Sequence, residues 1–329
     1  MGTPGISQPI PSRPVEEIKA KFKSALEEAR ETERYELQSR MNKVKSESEK
    51  ILEDAKENVD PNINDHGLKH AQRVVDKTEK VETSFNDVSL TNQQMGRFQD
   101  QREKFELQSA ACMHDVGIAQ GMKEEHAVQS RKIIDSRADL FPDVQERERI
   151  SGLAVLHSKE GSRSLGSDNI SELERKGMLS KKEALQASIL RIADALDVGK
   201  SRVERNTQGE PAHKVIDRIQ GTQNEKAKSY LTHWRGHQGI INAETYNDNG
   251  RLGIRMKLDP ESLRSHGSSV AFVVNDALSD VHSTIVGSNY TVDFKCADKT
   301  LAREWYRSNQ GVFGEETRGI RVEFTQAYD

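Results

Sequence analysis

Histidine and aspartate recur in five short pieces of this chain, each inside or at the end of a segment that reads as a helix. Neutral imidazole binds transition metals and a carboxylate can bridge two of them, so a set of both is the natural lining of a hydrolytic metal centre. A lone buried histidine is more often an ordinary core residue, but five pieces in the same helical setting favour a metal site. The pieces are His66 with His70, His114 with Asp115, His126, His157, and Asp194 with Asp197.

The order of these pieces resembles the HD superfamily of metal-dependent phosphohydrolases, over roughly residues 60–205. Three motifs carry the resemblance. They are His-Ala-Gln-Arg-Val from residue 70, Ala-Ala-Cys-Met-His-Asp-Val-Gly from residue 110, and Leu-Arg-Ile-Ala-Asp-Ala-Leu-Asp from residue 190. The additional His126 and His157 are similar to the longer version of the family's pattern, which usually accompanies two metal ions.

The resemblance implies a two-metal site. One ion would be held by His70, His114, Asp115 and Asp194, and Asp115 would bridge to a second ion held by His126 and His157. Two cations lower the pKa of a shared water, so that a metal-bound hydroxide exists near neutral pH and can attack phosphorus in line. The mixed nitrogen and oxygen ligands suit one or two divalent transition-metal ions (manganese, iron, cobalt, nickel or zinc), and no thiolate selects zinc.

His66 and Arg73 are candidates for the catalytic machinery, together with Asp115. His66 could hydrogen-bond the substrate or the nucleophile, or it could be a capping or solvated histidine. It lies four residues before His70, as in the zinc proteases, but Gly67 takes the place of their general-base glutamate, so a protease is not favoured. Arg73 could orient a metal-binding aspartate or contact phosphate, and an ordinary salt bridge is the alternative.

Lys200 and Arg202 are candidates for substrate binding, because they follow the helix that carries Asp194. Cations at a helix end also interact favourably with the helix dipole, which is the alternative. Asp197 lies on the same helical face as Asp194, and we favour a supporting role for it over direct ligation. Residues 232–237, Thr-His-Trp-Arg-Gly-His, could stack a base, but we favour a role at a domain interface.

The residues around the motifs do not identify one substrate. In the subfamily that hydrolyses cyclic di-GMP, Gly-Lys follows the His-Asp pair, and a double histidine and Gly-Tyr-Pro occur later. Here Ile118 follows Gly117 and Ser158 follows His157, and the sequence has no Gly-Tyr-Pro. Hydrolases of the stringent response share only the core pattern. We therefore expect hydrolysis of a nucleotide or related small phosphoester, as a phosphodiesterase or phosphatase.

Two other functions stay open. An HD-type nuclease would act on single-stranded nucleic acid, which usually requires clustered lysine and arginine, whereas this chain has a net charge of −4 and a pI near 6.2. A regulatory protein would sense a nucleotide without cleaving it. The complete ligand set argues against such a sensor, while the long N-terminal arm and an extra domain favour regulation.

Composition restricts the cellular setting. Cys112 and Cys296 are the only cysteines and lie far apart, which argues against a disulfide scaffold and indicates a reducing compartment. No apolar run approaches the roughly 18 residues of a membrane span, and the first residues do not read as a secretory signal. We expect a cytoplasmic protein without a membrane partner.

The expected fold is a mainly α HD-domain helical bundle with a C-terminal α+β domain and a long N-terminal helical arm. The domains would be a flexible start plus charged arm at 1–58, the HD domain at 59–206 and the accessory domain at 207–329. Helices are predicted for a segment from Phe98 to the His-Asp pair and at 124–136, 144–157, 182–197, 269–283 and 299–306. Strands are predicted at 239–246, 251–258, 290–296 and 319–324, the first two around the hairpin signal Asn-Asp-Asn-Gly. Residues 158–180 read as a polar loop, either a lid or an insertion.

Apolar residues in the arm follow heptad-like steps with one slip at residues 32–36. They are Val15, Ile18, Phe22, Ala25 and Ala29, then Leu37, Met41, Val44, Ile51 and Ala55. The slip reads either as a stutter or as a turn between two helices. The arm could fold onto its own domain, or it could pair with a second copy as a homodimer.

Overall fold

One helix, α1 (Arg13–Ala55), forms the charged N-terminal arm. The computed structural model describes residues 13–92, 100–120, 125–222, 225–284, 290–313 and 320–327. Because α1 continues without a break through residues 32–36, the slip in its apolar spacing is not a turn between two helices. Leu37, Met41 and Val44 in its second half are buried, whereas in its first half Phe22 is 72% exposed. The two halves of the arm therefore have different surroundings.

Helices dominate the chain up to residue 238. They are α2 (Leu68–Asn92), α3 (Gln101–Met113), α4 (His126–Asp135), α5 (Val144–Leu156), α6 (Lys159–Arg163), α7 (Ile170–Arg175), α8 (Lys181–Ala195), α9 (Ala212–Gln220) and α10 (Glu225–Gln238). Side-chain caps explain several starts: Asp143 caps α5, and Ser180 with Glu183 forms a capping box at α8. The helices predicted at 144–157 and 182–197 are confirmed. Phe98 and Glu124, predicted to lie in helices, are outside the described residues.

The predicted polar loop at 158–180 contains α6 and α7, so the expectation of an irregular segment is wrong. Ser158 and Asn169 cap these two helices, and Ile170 and Leu173 are buried on one face of α7. Helices of five and six residues are too short to show an apolar period in a polar sequence. Tertiary contacts stabilise them here.

The C-terminal strands form a mixed four-stranded sheet in the order β1-β2-β3-β4. β1 (Ile240–Asp248) and β2 (Arg251–Leu258) are an antiparallel hairpin, and its turn has φ angles of 50° at Asn249 and 84° at Gly250. Asn and Gly tolerate this left-handed conformation, which is why the turn signal predicted the hairpin. β3 (Tyr290–Cys296) and β4 (Arg321–Gln326) pair in parallel with their neighbours.

Two helices connect the parallel strands, as such pairing requires. They are α11 (Pro260–His282) and α12 (Lys299–Ser308). The helix predicted at 269–283 is confirmed by the part of α11 that follows His266, whose φ of −139° and ψ of 28° form a kink. The part before the kink, which begins at Pro260 and is capped by the Asp259 side chain, was not predicted. Residue 319, the predicted start of the last strand, lies outside the described residues.

The sheet and the bundle share one hydrophobic core. Val74 of α2, Ile189 of α8, Ile254 of β2 and Val274 of α11 belong to the same buried cluster. A polar contact adds to this packing, since Lys77 Nζ of α2 donates to the main-chain oxygen of Ala243 in β1 at 2.9 Å. The C-terminal α+β region therefore packs directly on the helices that carry the predicted ligands.

A second cluster joins α9 and α10 to the segment before α2. Trp234 is fully buried there, and its indole nitrogen donates to the main-chain oxygen of Asn62 at 2.8 Å. His237 Nδ1 donates to the oxygen of Val198 at 2.7 Å. These contacts agree with the favoured interface role for residues 232–237. Within the described ranges, no helix combines the length and the apolar character needed to cross a bilayer.

Candidate metal centre

Helix ends bring the six predicted metal ligands together in the bundle. His70 lies in the first turn of α2, His114 and Asp115 follow α3, His126 starts α4, His157 follows α5, and Asp194 lies in the last turn of α8. His70, His114, Asp115 and His157 are each at most 3% exposed. Residues separated by more than 120 positions in sequence thus line one buried site.

The first cluster consists of His70, His114, Asp194 and one carboxylate oxygen of Asp115. His70 Nε2 lies 3.2 Å from His114 Nε2, 3.3 Å from Asp115 Oδ2 and 3.1 Å from Asp194 Oδ1. His114 Nε2 lies 3.5 Å from Asp115 Oδ2. The ligand atoms of His70, His114 and Asp194 all lie within 4.8 Å of one another, as the ligands of one metal ion would.

The second cluster consists of His126, His157 and the other carboxylate oxygen of Asp115. His126 Nε2 lies 2.9 Å from His157 Nε2, and Asp115 Oδ1 lies 3.3 Å and 3.6 Å from these two nitrogens. Asp115 therefore turns one oxygen to each cluster. A carboxylate placed in this way has the geometry of a bridge between two cations.

Hydrogen bonds at Nδ1 determine which nitrogen of each imidazole faces the site. His70 Nδ1 lies 2.7 Å from Asp197 Oδ2, and the Nδ1 atoms of His114 and His157 lie 2.8 Å and 2.5 Å from main-chain oxygens three residues earlier. These partners are acceptors only, so Nδ1 carries the proton and donates. In their neutral form the rings consequently direct their Nε2 lone pairs at the two clusters, as metal ligation requires.

The residues present fit divalent cations. Nε2 lone pairs and carboxylate oxygens are all acceptors, and a cation is the species that can satisfy them together. Asp194 Oδ1 is buried and has no hydrogen bond from the described part of the chain, although it faces His70 and His114. A buried oxygen without a donor is costly, and a metal ion would remove that cost.

The carboxylates strongly affect protonation in the first cluster. Burial and the charge of Arg202 lower the pKa of His70, but its close contacts with the carboxylates of Asp115, Asp194 and Asp197 outweigh them and raise that pKa to about 10. Burial alone would raise the pKa values of Asp115 and Asp194, yet the nearby imidazoles hold both below the usual range. The first cluster thus stabilises positive charge.

The second cluster has the opposite character. Burial, followed by the charges of His114 and His126, lowers the pKa of His157 to about 3. His157 is therefore a neutral imidazole throughout the physiological pH range, with its Nε2 lone pair available.

Asp197 and Arg73 stand behind His70 and do not face the ion positions. Arg73 Nε donates to Asp197 Oδ1 at 2.9 Å, and its Nη2 donates to Asp65 Oδ2 at 3.1 Å. Arg73 therefore forms the salt bridge that was one of its alternatives, and it orients the carboxylate that orients His70. Asp197 has the supporting contact that its position after Asp194 suggested.

His66 and Arg202 lie at the rim of the first cluster. His66 Nδ1 is 3.2 Å from Asp115 Oδ2, and Arg202 Nη2 is 3.2 Å from the same nitrogen of His66. Arg202 Nη1 is 4.0 Å from Asp194 Oδ1, while its buried Nε has no hydrogen-bond partner among the described residues. Lys200 lies on the same short 3₁₀ turn and is exposed.

Gly117 and Ser130 position the His-Asp turn, which the sequence analysis did not anticipate. A Cβ atom at residue 117 would lie 2.0 Å from the main-chain oxygen of His126, so only glycine lets α4 approach closely enough. Ser130 Oγ donates to the oxygen of His114 at 2.6 Å and accepts from the nitrogen of Gly117 at 2.8 Å. The available signal was the glycine two residues after Asp115.

No protein-family model matches this chain, and no curated protein matches it. Buried His and Asp groups that could bind a metal ion are compatible with an HD-type site, and they are what the geometry itself establishes.

Proposed function

We propose that this protein is an HD-type, metal-dependent phosphohydrolase that cleaves a nucleotide or a related small phosphoester. The main observation behind the proposal is the orientation of the Asp115 carboxylate. Its two oxygens face two separate groups of imidazole Nε2 atoms. Hydrolytic two-metal centres need a ligand of this kind, because a shared carboxylate neutralises charge and determines the spacing of the ions.

When bound, divalent transition-metal ions would supply an activated water and an electrophile for phosphoryl oxygens. The protein's own residues provide the orientation. Asp197 keeps the Nδ1 proton of His70 in place, so that Nε2 stays directed at the site. His66, with Nδ1 3.2 Å from Asp115 Oδ2, is placed to hold or move a proton at the edge of the reacting position.

Arg202 supports a phosphorylated substrate. Its guanidinium lies beside the first cluster and has a buried Nε without a described partner. Guanidinium groups bind phosphate through two parallel hydrogen bonds, so a substrate phosphate could use the unsatisfied donor. Lys200, exposed on the same turn, would add positive charge at the entrance.

The decisive experiment combines metal analysis of the purified protein with a hydrolysis screen of nucleotides, cyclic nucleotides and chromogenic monoesters and diesters. We expect His114→Ala with Asp115→Ala to lose metal and turnover together. His213→Ala is the matched control, because His213 is exposed on α9 away from the site. Unchanged metal content in the double variant would reject the site.

The same screen separates the two rival functions. Cleavage of a labelled single-stranded oligonucleotide, without action on mononucleotides, would identify a nuclease. Tight nucleotide binding by calorimetry, with no product in the presence of Mn²⁺, would identify a sensor.

We also propose that the first half of α1 pairs with a second copy of the chain. Phe22, Leu26 and Tyr35 are 72%, 43% and 63% exposed there. Residues 13–24 contain four basic and two acidic side chains, whereas residues 25–36 contain two basic and five acidic ones. An antiparallel pair of arms would therefore place opposite charges together while covering the apolar stripe.

Light scattering of the full-length protein tests this pairing. We expect a dimer that Phe22→Glu with Leu26→Glu converts to a monomer. Deleting the whole arm, residues 1–58, is not a suitable test of pairing, because the deletion would also remove the buried Leu37, Met41 and Val44. A monomeric wild-type protein would reject the pairing.

A further inference from the structure

Arg191 is a fully buried arginine on α8, one helical turn before Asp194. Burial is the main reason why its pKa is lowered to about 10. Among the described residues, no carboxylate forms a salt bridge with it within 4.0 Å. Its partners are instead main-chain carbonyls and serine hydroxyls. A buried charge without an ionic partner is costly. The hydrogen-bond partners of Arg191 therefore indicate its structural role.

Three of these six hydrogen bonds reach the residues on either side of His157. Arg191 Nη2 donates to the oxygen of Leu156 at 2.7 Å and to the oxygen of Ser158 at 2.9 Å, and Nε donates to Leu156 again at 3.0 Å. Leu156 ends α5, where carbonyl groups lack partners within the helix. The guanidinium therefore holds the main chain before and after the His157 ligand.

The ring of His157 is held separately, through the hydrogen bond from Nδ1 to the oxygen of Ala154. Together the two sets of contacts determine both the direction of the ring and the position of its backbone. Arg191 touches none of the clustered Nε2 atoms. Because it shares α8 with Asp194, it also links the position of the second cluster to a carboxylate of the first.

The other donors of Arg191 reach two more segments. Nη1 donates to the oxygen of Asp168 at 2.7 Å and to Ser283 Oγ at 2.9 Å, and Nη2 also contacts Ser162 Oγ. The guanidinium thus connects the segment between α5 and α8, and the residue that follows α11, to the same side chain of α8. A lysine has three donors on one atom and cannot reach carbonyls on several sides at once.

We propose that Arg191 is the positioning residue of the second cluster: it holds His157 in place and thereby sets the affinity for the second metal ion. This inference rests on the proposed two-metal site. Residues that orient metal ligands typically change metal affinity by about 10- to 100-fold when substituted. The expected loss is confined to one of the two ions.

The test is a metal titration, read by bound metal per chain and by binding isotherms with Mn²⁺ or Co²⁺, on full-length protein. We expect Arg191→Lys to weaken the second ion by roughly 10- to 100-fold while the first ion binds as in wild type. His157→Ala should give the same pattern. Adding Arg191→Lys to His157→Ala should then cause no further loss, because the arginine acts through that histidine. Arg149→Lys is the matched control, since Arg149 lies on α5, the helix that ends just before His157, but pairs with Glu106.

Circular dichroism and thermal unfolding establish that each variant is folded. If Arg191→Lys does not fold, Ser162→Ala with Ser283→Ala removes only hydroxyl partners of the guanidinium. That variant should show a smaller, severalfold weakening of the second ion alone. Equal weakening of both ions in a folded variant, or unchanged binding of the second, would overturn the role of Arg191.

Wild-type results distinguish this inference from the proposed function. Two bound ions without hydrolysis would reject the phosphohydrolase while leaving the role of Arg191 testable by the same titration. A single bound ion in wild type would overturn the role of Arg191, because there would be no second ion to control. Absence of any bound metal would reject both.

Discussion

The two clusters share Asp115 but differ in the charge around their imidazoles. The first combines His70 and His114 with oxygens of Asp115 and Asp194, and Asp197 lies behind His70. The second has His126, His157 and one oxygen of Asp115, and neutral carbonyls hold His157. Carboxylates raise the pKa of His70 to about 10, whereas burial and two neighbouring imidazoles lower that of His157 to about 3.

In the proposed two-metal site, this difference predicts that the two cations bind with unequal affinity. The first cluster has an excess of negative charge and should bind the first ion tightly. The second depends on the imidazoles of His126 and His157 and on one oxygen of the Asp115 carboxylate that faces both clusters. Its affinity should therefore depend more on geometry, which is where Arg191 acts.

The largest expected effect follows from substitution of the shared residue. Asp115→Asn preserves the size of the side chain but removes its charge, so both ions should lose affinity together. We expect turnover to fall by about 1,000-fold or more, equivalent to about 4 kcal/mol in the activation barrier. Metal content and steady-state kinetics measure the two losses. Retention of one tightly bound ion would mean that the clusters are independent.

An intermediate effect is expected at Asp197, which supports only the first cluster. Asp197→Asn would weaken the hydrogen bond with His70 Nδ1 and remove the salt bridge with Arg73. The affinity for the first ion should fall by roughly 10- to 100-fold. Titration in a His157→Ala background reports on this ion alone, and the exposed Asp217→Asn is the control. An unchanged isotherm would contradict the supporting role.

The smallest expected effect is a difference between the two clusters in how their metal affinity depends on pH. Below a pKa of about 10, metal-free His70 carries a proton that an ion must displace, so the apparent affinity of the first cluster should rise with pH. The rise should approach tenfold per unit between about pH 6 and 8. His157, with a pKa of about 3, is already neutral there and contributes no such slope.

Single-cluster variants allow the two slopes to be compared. His157→Ala reports on the first cluster and His70→Ala on the second, each by titration at several pH values. A steeper slope for the second cluster would contradict the assigned protonation states.

The sequence indicated which candidate ligands lie together, but not which residues support them. The His and Asp pieces on helical segments, together with the resemblance to the HD pattern, indicated six residues that the fold brings together. Arg191 received no role, since in the sequence it is one cation within an apolar helix. Its partners at Leu156 and Ser283 lie 35 and 92 residues away. Burial of such a residue depends on packing that no local pattern reveals.

The same distinction applies to the arm and to residues 158–180. Apolar spacing predicted that α1 is helical but could not say which half packs on the protein, because both halves have a similar stripe. Polar composition concealed α6 and α7, whose few apolar residues become buried only against other segments. The hairpin at Asn249 and Gly250 was predictable because its cause, tolerance of a positive φ, is local.

The sequence by itself determined the candidate ligand types, their helical setting and the strand–turn–strand signal, since side-chain chemistry and helical or strand periodicity are short-range properties. Only the tertiary structure decided that Asp115 directs one oxygen to each cluster, that Arg73 supports Asp197, and that Arg191 clamps the residues around His157. Those arrangements join atoms far apart along the chain. They depend on how closely helices can approach, as at Gly117, and on which buried donors must find acceptors.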